Sequence, residues 1–426
     1  MKSNAFLVFL AVSLSAETHK MDMKSALQRA LQQSPEVILS RIDEANSQQS
    51  VQIARDPFFP KVILGSGLAY TNGFPMSIEG SAPSIVQIKA IQSLINRPQS
   101  YLLAKAKVDA KSAQQLVQMK RDEVLEKTAK LYLDADRAAR NLKIISGQIE
   151  NMENVLASVT ARRDEGRALA IEVQRADINL KRSRQRQRVL ATELKQTEHA
   201  LAYVLGYDAQ DSVEANSQVA MDMSLAPEPD IAVREALENS RELKKLQSDL
   251  QAKNLEVQSN KAAWLPQMDL VAQYGLFSRF NNYDVYFKHF QQNNTQLGVS
   301  FKFPLIPGTA PRAQAQQALN EVSRLRLQVA NVRNRIEIDT RKLFDDLQLQ
   351  REGRELAKLD LDVAREQINI YLVQLEEGKA SRRQVEESRF LEAEKWLAYW
   401  DAQYLYDRAR VSLLAATGGL MTLAAN

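Results

Sequence analysis

The sequence predicts a mainly α-helical fold with a small β part, built from a helix–strand–strand–helix–helix unit that occurs twice. Three observations lead there. From Pro98 to Pro227 no proline intervenes, and an apolar residue returns every seven positions, at Leu103, Ala110, Val117, Val124, Leu131, Ala138, Ile145, Met152 and Val159. A second seam runs beside it through Ala135, Leu142, Ile149 and Leu156. Such paired seams mark helices that supercoil on partners, and at ~1.5 Å per residue the run to Asp164 is about 100 Å long. Secondly, four short segments alternate apolar with polar residues, the period of strands with two unlike faces. Thirdly, the pattern starts over. Ala30-Leu31, Ser34, Glu36 and Pro60 return 206 residues on as Ala236-Leu237, Ser240, Glu242 and Pro266. Lys130-Leu131-Tyr132, Gly166, Val173 and Gly206 return 212 residues on as Lys342-Leu343-Phe344, Gly378, Val385 and Gly418.

Composition narrows the function. The 426 residues are 25% charged and 45% hydrophobic, with only 14 glycines and 12 prolines, which suits a helical chain with a substantial core. A net charge of +4 points to no particular partner at this size. There is no cysteine, and the three histidines (His19, His199, His289) lie far apart. Disulfides, thiolate chemistry and a metal site are therefore unsupported. No nucleophile–base pair, phosphate loop or metal-ligand spacing appears, so neither an enzyme nor a cofactor is expected.

In chain order, Lys2 precedes an apolar run from Ala5 to Leu14 and the small residues Ser13, Ser15 and Ala16, the order of a cleaved secretory signal over residues 1–16. The first repeat is expected over 17–206. It begins with a helix from Met23 to Arg55, broken near Ser34-Pro35 and ended by Asp56-Pro57-Phe58-Phe59-Pro60. Strands follow at 61–70 and 85–94, then the long hairpin at 98–206, with its tip at Gly166. Polar residues 207–230 read as a linker or equatorial segment. The second repeat, 231–426, has strands at 268–277 and 295–303 and a hairpin at 311–417 with its tip at Gly378. No later stretch approaches ~18 continuous apolar residues, the length of a membrane-crossing helix.

Each strand is about ten residues long, enough for a tilted strand to cross a bilayer. Val86, Ile88, Leu297, Val299 and Phe301 are the candidates for a lipid-facing side, with Gly65, Gly67, Gln87, Lys89, Gln273, Ser300 and Lys302 on a wet side. Four strands cannot close a barrel, and open edges are not tolerated in a membrane. One chain would then supply a sector and several copies the wall; three would give twelve strands. The residues alone say only that there is more than one copy.

The duplicated order and the closing leucine–glycine signatures resemble the TolC-like outer-membrane efflux protein family. The residues that carry the resemblance are Gly166 with Ala170-Ile171-Glu172-Val173, Ala176 and Leu180, ending at Leu201 and Leu205-Gly206. In the second copy they are Gly378 with Ser381, Val385, Tyr399 and Leu413-Leu414, ending at Thr417-Gly418. The resemblance covers nearly the whole mature chain. It implies a homotrimer in the outer membrane of a Gram-negative bacterium, with a 12-stranded barrel continuous with a periplasmic α-helical tunnel. It also implies partners: a periplasmic adaptor and an inner-membrane pump or ABC transporter. The function implied is a passive exit path for drug or metal efflux or type I protein secretion. The competing reading is a periplasmic coiled-coil adaptor or scaffold without a pore, but such proteins need glycine-rich compact β domains, and none is visible.

The resemblance places the gate and the docking site at the hairpin tips. The gate candidates are Glu172, Arg382, Arg383, Gln384 and Glu387, and the docking candidates Gly166, Arg167, Gly378 and Lys379. In a trimer Glu387 would form a ring of three charges that attracts cations; the plainer alternative is a solvated helix face. The chain departs from the family's pattern at Arg167 and Lys379, where an apolar residue is often found, at neutral Gln384, and at Ala380, where a basic residue sometimes stands. The basic run Lys181, Arg182, Arg184, Arg186 and Arg188 reads as a solvated face, with an adaptor contact as the alternative and no nucleic acid expected. Trp396, Tyr399, Trp400, Tyr404 and Tyr406 read as helix packing. Tyr70, Phe74, Tyr274, Phe277, Tyr283 and Tyr286 flank the strands and suit either a bilayer girdle or loop packing.

Overall fold

The computed structural model describes residues 17–67, 84–216, 228–277, 291–306 and 308–425. The signal-like leader and Tyr70, Phe74, Tyr283 and Tyr286 fall outside them. The described elements are β1 (Thr18–Met21), α1 (Met23–Gln33), α2 (Pro35–Arg55), β2 (Lys61–Gly67), β3 (Ser84–Ile95), α3 (Arg97–Asp164), α4 (Ala170–Val204) and β4 (Ser212–Ala215). They continue with α5 (Pro229–Asn239), α6 (Arg241–Lys261), β5 (Gln267–Phe277), β6 (Asn293–Lys302), α7 (Ala310–Glu376), α8 (Arg382–Thr417) and α9 (Leu420–Ala425). The duplication is geometric as well as sequential: α1 and α2 match α5 and α6 at an offset of 206, and α4 matches α8 at 212. Across the strands, Ile91 faces Lys61 where Lys302 faces Gln267. The paired second strands are thus already 211 residues apart, so nearly all of the six-residue difference lies between the strands of each pair.

The chain divides into two units. One comprises residues up to 40, 118–240 and 333–426. Its core gathers Leu27, Val37, Val124, Leu125, Leu201, Leu205, Val213, Val411 and Leu420, all essentially sealed from solvent. β1 and β4 pair in parallel, Thr18 with Ser212 through Met21 with Ala215. Residues 212–215 of the polar segment thus supply a strand to this unit. Val213 enters the core from within that polar segment, and Tyr132 Oη, also in the core, donates to the Met21 and Asn216 carbonyls at 3.1 and 2.9 Å. Burial away from water holds the Tyr132 hydroxyl's pKa up at about 12.

Helix endings in this unit share one design. α1 stops at Ser34, whose backbone is extended (φ −60°, ψ 128°), as expected of a residue before proline. Yet α5 stops in the same way at Ser240 (φ −55°, ψ 112°), which precedes Arg241. Proline alone is therefore not the cause. In both repeats the last residue of the short helix meets a glycine that ends a hairpin. Gly206 (φ +74°) lies against Gln33, and Gly418 (φ +84°) against Asn239, whose Nδ2 donates to the Thr417 carbonyl at 2.8 Å. A Cβ on Gly206 would overlap the Gln33 carbonyl oxygen, and one on Gly418 would come within 2.9 Å of the Asn239 Cβ.

The other unit comprises residues 41–117 and 241–332. It holds an antiparallel four-stranded sheet in the order β2-β3-β5-β6, so the two repeats join at β3 and β5. Residues paired across the strands share a face. Val62, Ala90, Ala272 and Leu297 form one row on one face, Leu64, Ile88, Tyr274 and Thr295 another. The opposite face carries Gly65, Gln87, Lys89, Gln273, Gln296 and Ser300. Near the β3 end of that face, Ser93 donates to Asp269 at 2.9 Å and Lys302 pairs with the same carboxylate at 3.1 Å. In the helical part of this unit Val257, Ala318 and Val322 pack with Leu250, and Ser112 donates to Asp249. A charged surface hollow there, lined by Lys105, Asp109, Asp249, Lys253, Glu321 and Arg324, is largely neutralised by its own ion pairs, such as Lys105–Asp109 and Lys253–Glu256.

Candidate functional site: hairpin tips and the two-faced sheet

Both tips are built from the same backbone turn. After α3 ends, the Gly166 N–H reaches the Arg163 carbonyl at 2.9 Å and the Arg167 N–H the Arg162 carbonyl at 2.7 Å. After α7, Gly378 reaches Leu375 at 3.1 Å and Lys379 reaches Gln374 at 2.7 Å. This paired closure requires a left-handed residue in the middle, and Gly166 (φ +73°) and Gly378 (φ +71°) supply it. Neither glycine has any heavy atom within 4 Å of where a Cβ would stand, so glycine is needed there for its backbone angle and not for space. Arg167 folds onto Glu165 at 3.2 Å, and its counterpart Lys379 onto Glu377 at 2.8 Å. The cations that replace the family's apolar tip residues are thus partly neutralised within their own turns.

The returning helices begin unequally. Ser381 caps α8: its Oγ accepts the Gln384 N–H at 3.3 Å, while the Gln384 side-chain Oε1 accepts the Ser381 N–H at 2.8 Å. That is a complete capping box. At α4 the corresponding Glu172 accepts the Leu169 N–H at 3.3 Å, but Leu169 has no side-chain acceptor to return the bond. Two gate candidates, Glu172 and Gln384, are therefore engaged in starting their helices. Among the others, Arg383 bonds Glu387 at 2.8 Å, both well exposed, and Arg382 is exposed with no ion pair among the described residues. The Glu387 carboxylate, with a smaller contribution from Glu172, raises the Arg383 pKa. Arg383 and Glu387 thus form one small polar patch at the start of α8. Glu386 pairs with Arg389 at 3.7 Å.

Further along the hairpins, the basic run is mostly paired: Lys181 with Asp177, Arg184 with Glu153, and Arg186 with Glu394 across the repeats. Trp396 stacks on Trp400, Tyr399 meets both edge-on with ring centroids 5.2–6.2 Å apart across the trio, and Arg140 sits 4.2 Å over Trp400. Tyr404 donates to Asp134 at 2.5 Å and accepts from Arg408. These aromatics join α3 to α8. Composition alone does not reveal that polar joint, because its members lie 270 residues apart.

The sheet gathers the lipid-facing candidates on one side. Val86 pairs with Leu276, Ile88 with Tyr274, Leu297 with Ala272, Val299 with Leu270 and Phe301 with Met268. Leu297 is 77% exposed and Phe301 67%. Aliphatic and aromatic groups this bare, on one face of a sheet, require an apolar medium. The opposite face mixes Gly65, Gln87, Lys89, Gln273 and Ser300 with Ile63, Ile91 and Val271. Among the described residues no helix is long and apolar enough to cross a membrane.

The outer membrane efflux protein family model matches residues 26–207 and 232–419, which is one match to each repeat and most of the chain. The chain belongs to the outer membrane efflux protein family. It is accordingly an outer-membrane channel protein serving efflux, and the scaffold alternative falls away. The family is one of channels, not of enzymes. Among solved structures, a membrane protein from Pseudomonas aeruginosa superposes with a TM-score of 0.76 at 16% identity, covering 93% of each chain. The Campylobacter jejuni CmeC outer membrane channel gives 0.76 at 14%, covering 93% of this chain and 85% of that one. The outer membrane protein VceC from Vibrio cholerae gives 0.72 at 13%, covering 93% and 96%. At such identities these likenesses speak for the fold alone. No curated protein matches the chain in sequence.

Proposed function

We propose that three copies of this chain form a passive duct, with a twelve-stranded outer-membrane barrel continuous with a helical tunnel whose hairpin tips reach into the periplasm. An inner-membrane pump supplies the energy and the choice of cargo. A periplasmic adaptor docks around Gly166, Arg167, Gly378 and Lys379. The chain itself makes and breaks no bonds.

The observation that carries this reading is the sheet with one apolar face and two open edges. Among the described residues, β2 and β6 each present a row of unpaired backbone groups along one side. In hydrocarbon each such group costs several kcal/mol, roughly 2–7 by transfer measurements. In the order β2-β3-β5-β6 every neighbour is antiparallel, so β6 and β2 run in opposite directions. The β2 of a following copy can therefore continue the sheet in the same antiparallel sense, and a ring of copies leaves no edge.

At the tips, Glu387 with Arg382 and Arg383 forms the proposed constriction, while Glu172 and Gln384 hold the helix starts beside it. Purified protein in planar bilayers tests the reading. It should form discrete pores whose cation preference falls in Glu387→Gln. Absence of pores from protein recovered as a folded oligomer would overturn the duct, and an unaltered ion preference would overturn the role of Glu387.

A further inference from the structure

The charged residues of the four-stranded sheet are few, and they share one side. Among the described residues its strands carry Lys61, Lys89, Asp269 and Lys302. Cross-strand pairing aligns Lys61 with Ile91, Lys89 with Gln273, Asp269 with Ser93 and Ser300, and Lys302 with Gln267. All four charges therefore lie on the face opposite Leu297 and Phe301. A face without charge, backed by one that holds every charge, is what a wall between lipid and a wet lumen needs.

Three of the four are neutralised locally. Lys61 pairs with Asp56, in the turn before β2, and Lys302 pairs with Asp269 at 3.1 Å. Ser93 also donates to Asp269, at 2.9 Å. Lys89 stands apart. It makes no ion pair among the described residues, and its cross-strand partners, Ile63 and Gln273, carry no charge. It is the sixth residue of the twelve in β3, so at ~3.3 Å per residue it sits about 15–20 Å from either end of the strand. Ile63, Ile91 and Val271 are its neighbours on the same face. Such hydrocarbon suits the apolar stem of a lysine, and it screens the ammonium less than polar groups would.

We infer that Lys89 sets the ion preference of the barrel. In the ring of copies proposed above, three Lys89 form a positive belt at mid-height of the lumen that draws in small anions, such as chloride and organic carboxylates, and holds back cations. The inference rests on that multi-copy reading and assigns a selectivity to its barrel. Rings of lysine or arginine confer anion preference just as acidic rings confer cation preference. Gln87, Gln273 and Gln296 share the face with Lys89, and their amides carry both donors and acceptors, so they do not cancel the belt. A twelve-stranded barrel is wide enough for the belt to act through its field and not through contact. That field extends over a Debye length, ~8 Å at physiological salt and ~30 Å at 0.01 M, so the preference is strongest in dilute salt.

The proposed Glu387 ring has the opposite sign, so the test is run with the tip silenced. The full-length Glu387→Gln chain is placed in planar bilayers across a gradient of dilute potassium chloride. The two ions diffuse almost equally, so the reversal potential reports the preference of the pore itself. These pores should prefer chloride, and the preference should fade in concentrated salt. Adding Lys89→Gln should abolish it, Lys89→Arg should keep it, and Lys89→Glu should invert it. Gln273→Glu leaves Lys89 in place, sets a carboxylate directly across from it, and should also abolish the preference. A reversal potential that is the same with and without Lys89→Gln would overturn the belt and leave the duct standing. A folded oligomer that forms no pores would overturn the duct itself.

Discussion

Four glycines end hairpin helices in the left-handed region, yet the structure assigns them two different penalties. Replacing Gly166 by alanine meets nothing within 4 Å, so the cost is that of placing a Cβ residue at φ +73°, about 1–2 kcal/mol. The same holds for Gly378 at φ +71°. At Gly206 the new methyl also overlaps the Gln33 carbonyl oxygen, which is backbone and cannot swing aside. Forcing extra volume into a packed site adds about 1–3 kcal/mol, for a total of about 2–5. Gly418→Ala, opposed by the Asn239 Cβ at 2.9 Å, should fall between. Far-UV circular dichroism during denaturation in detergent would rank the four variants. The expected order of loss is Gly206, then Gly418, then Gly166 and Gly378 together. Equal losses at Gly166 and Gly206 would refute the reasoning, because backbone angle alone would then account for both.

Three further outcomes follow from the same structure. Ser381→Ala removes half of the capping box at α8 and should cost about 1 kcal/mol, whereas Leu169→Ser supplies the acceptor that α4 lacks and should stabilise by about 0.5–1 kcal/mol, both read by thermal denaturation. Val299→Asp places a charge on the apolar face of the edge strand β6, at a cost approaching the roughly 2–4 kcal/mol of a midplane charge, and should deplete the protein from outer-membrane fractions; Ser300→Asp, one residue on and facing the other way, should not. Burial, and then the neighbouring Glu214, raise the pKa of Glu198. A raised carboxyl favours the folded state while protonated and loses that advantage as pH climbs from the ordinary value near 4.5 through the folded one. Glu198→Gln should therefore gain on the unsubstituted protein in denaturation midpoint as pH rises from 4 to 7; a constant difference would contradict the assignment.

The parts of this fold that repeat in sequence were legible, and those made by distant contact were not. Seven-residue spacing exposed α3, and alternation exposed both strand pairs, because each pattern is local and its physical cause lies within a few residues. The break at Ser34 was visible too, but through Pro35, and the matching break before Arg241 shows that the fit of Gln33 and Asn239 against Gly206 and Gly418 is shared where the proline is not. β1 and β4 escaped notice since four residues each, paired across 194 positions, carry no period. At the tips the glycines were readable from their repetition. Glu172 and Gln384 were named from the family resemblance, and their part in starting α4 and α8 shows only in the structure, although the Ser381-x-x-Gln384 spacing of a capping box was present in the sequence. The stripe of Leu349, Leu356, Leu359 and Val363 on α7 was hidden for another reason: such aliphatics look like core residues until the structure leaves them bare.

The central claim is that one chain supplies only a four-stranded sector and that copies complete the wall. Native mass measurement of the species extracted intact from outer membranes tests this most directly. The account predicts the mass of three chains and nothing folded below it in the membrane. A membrane-inserted species with the mass of a single chain would contradict it.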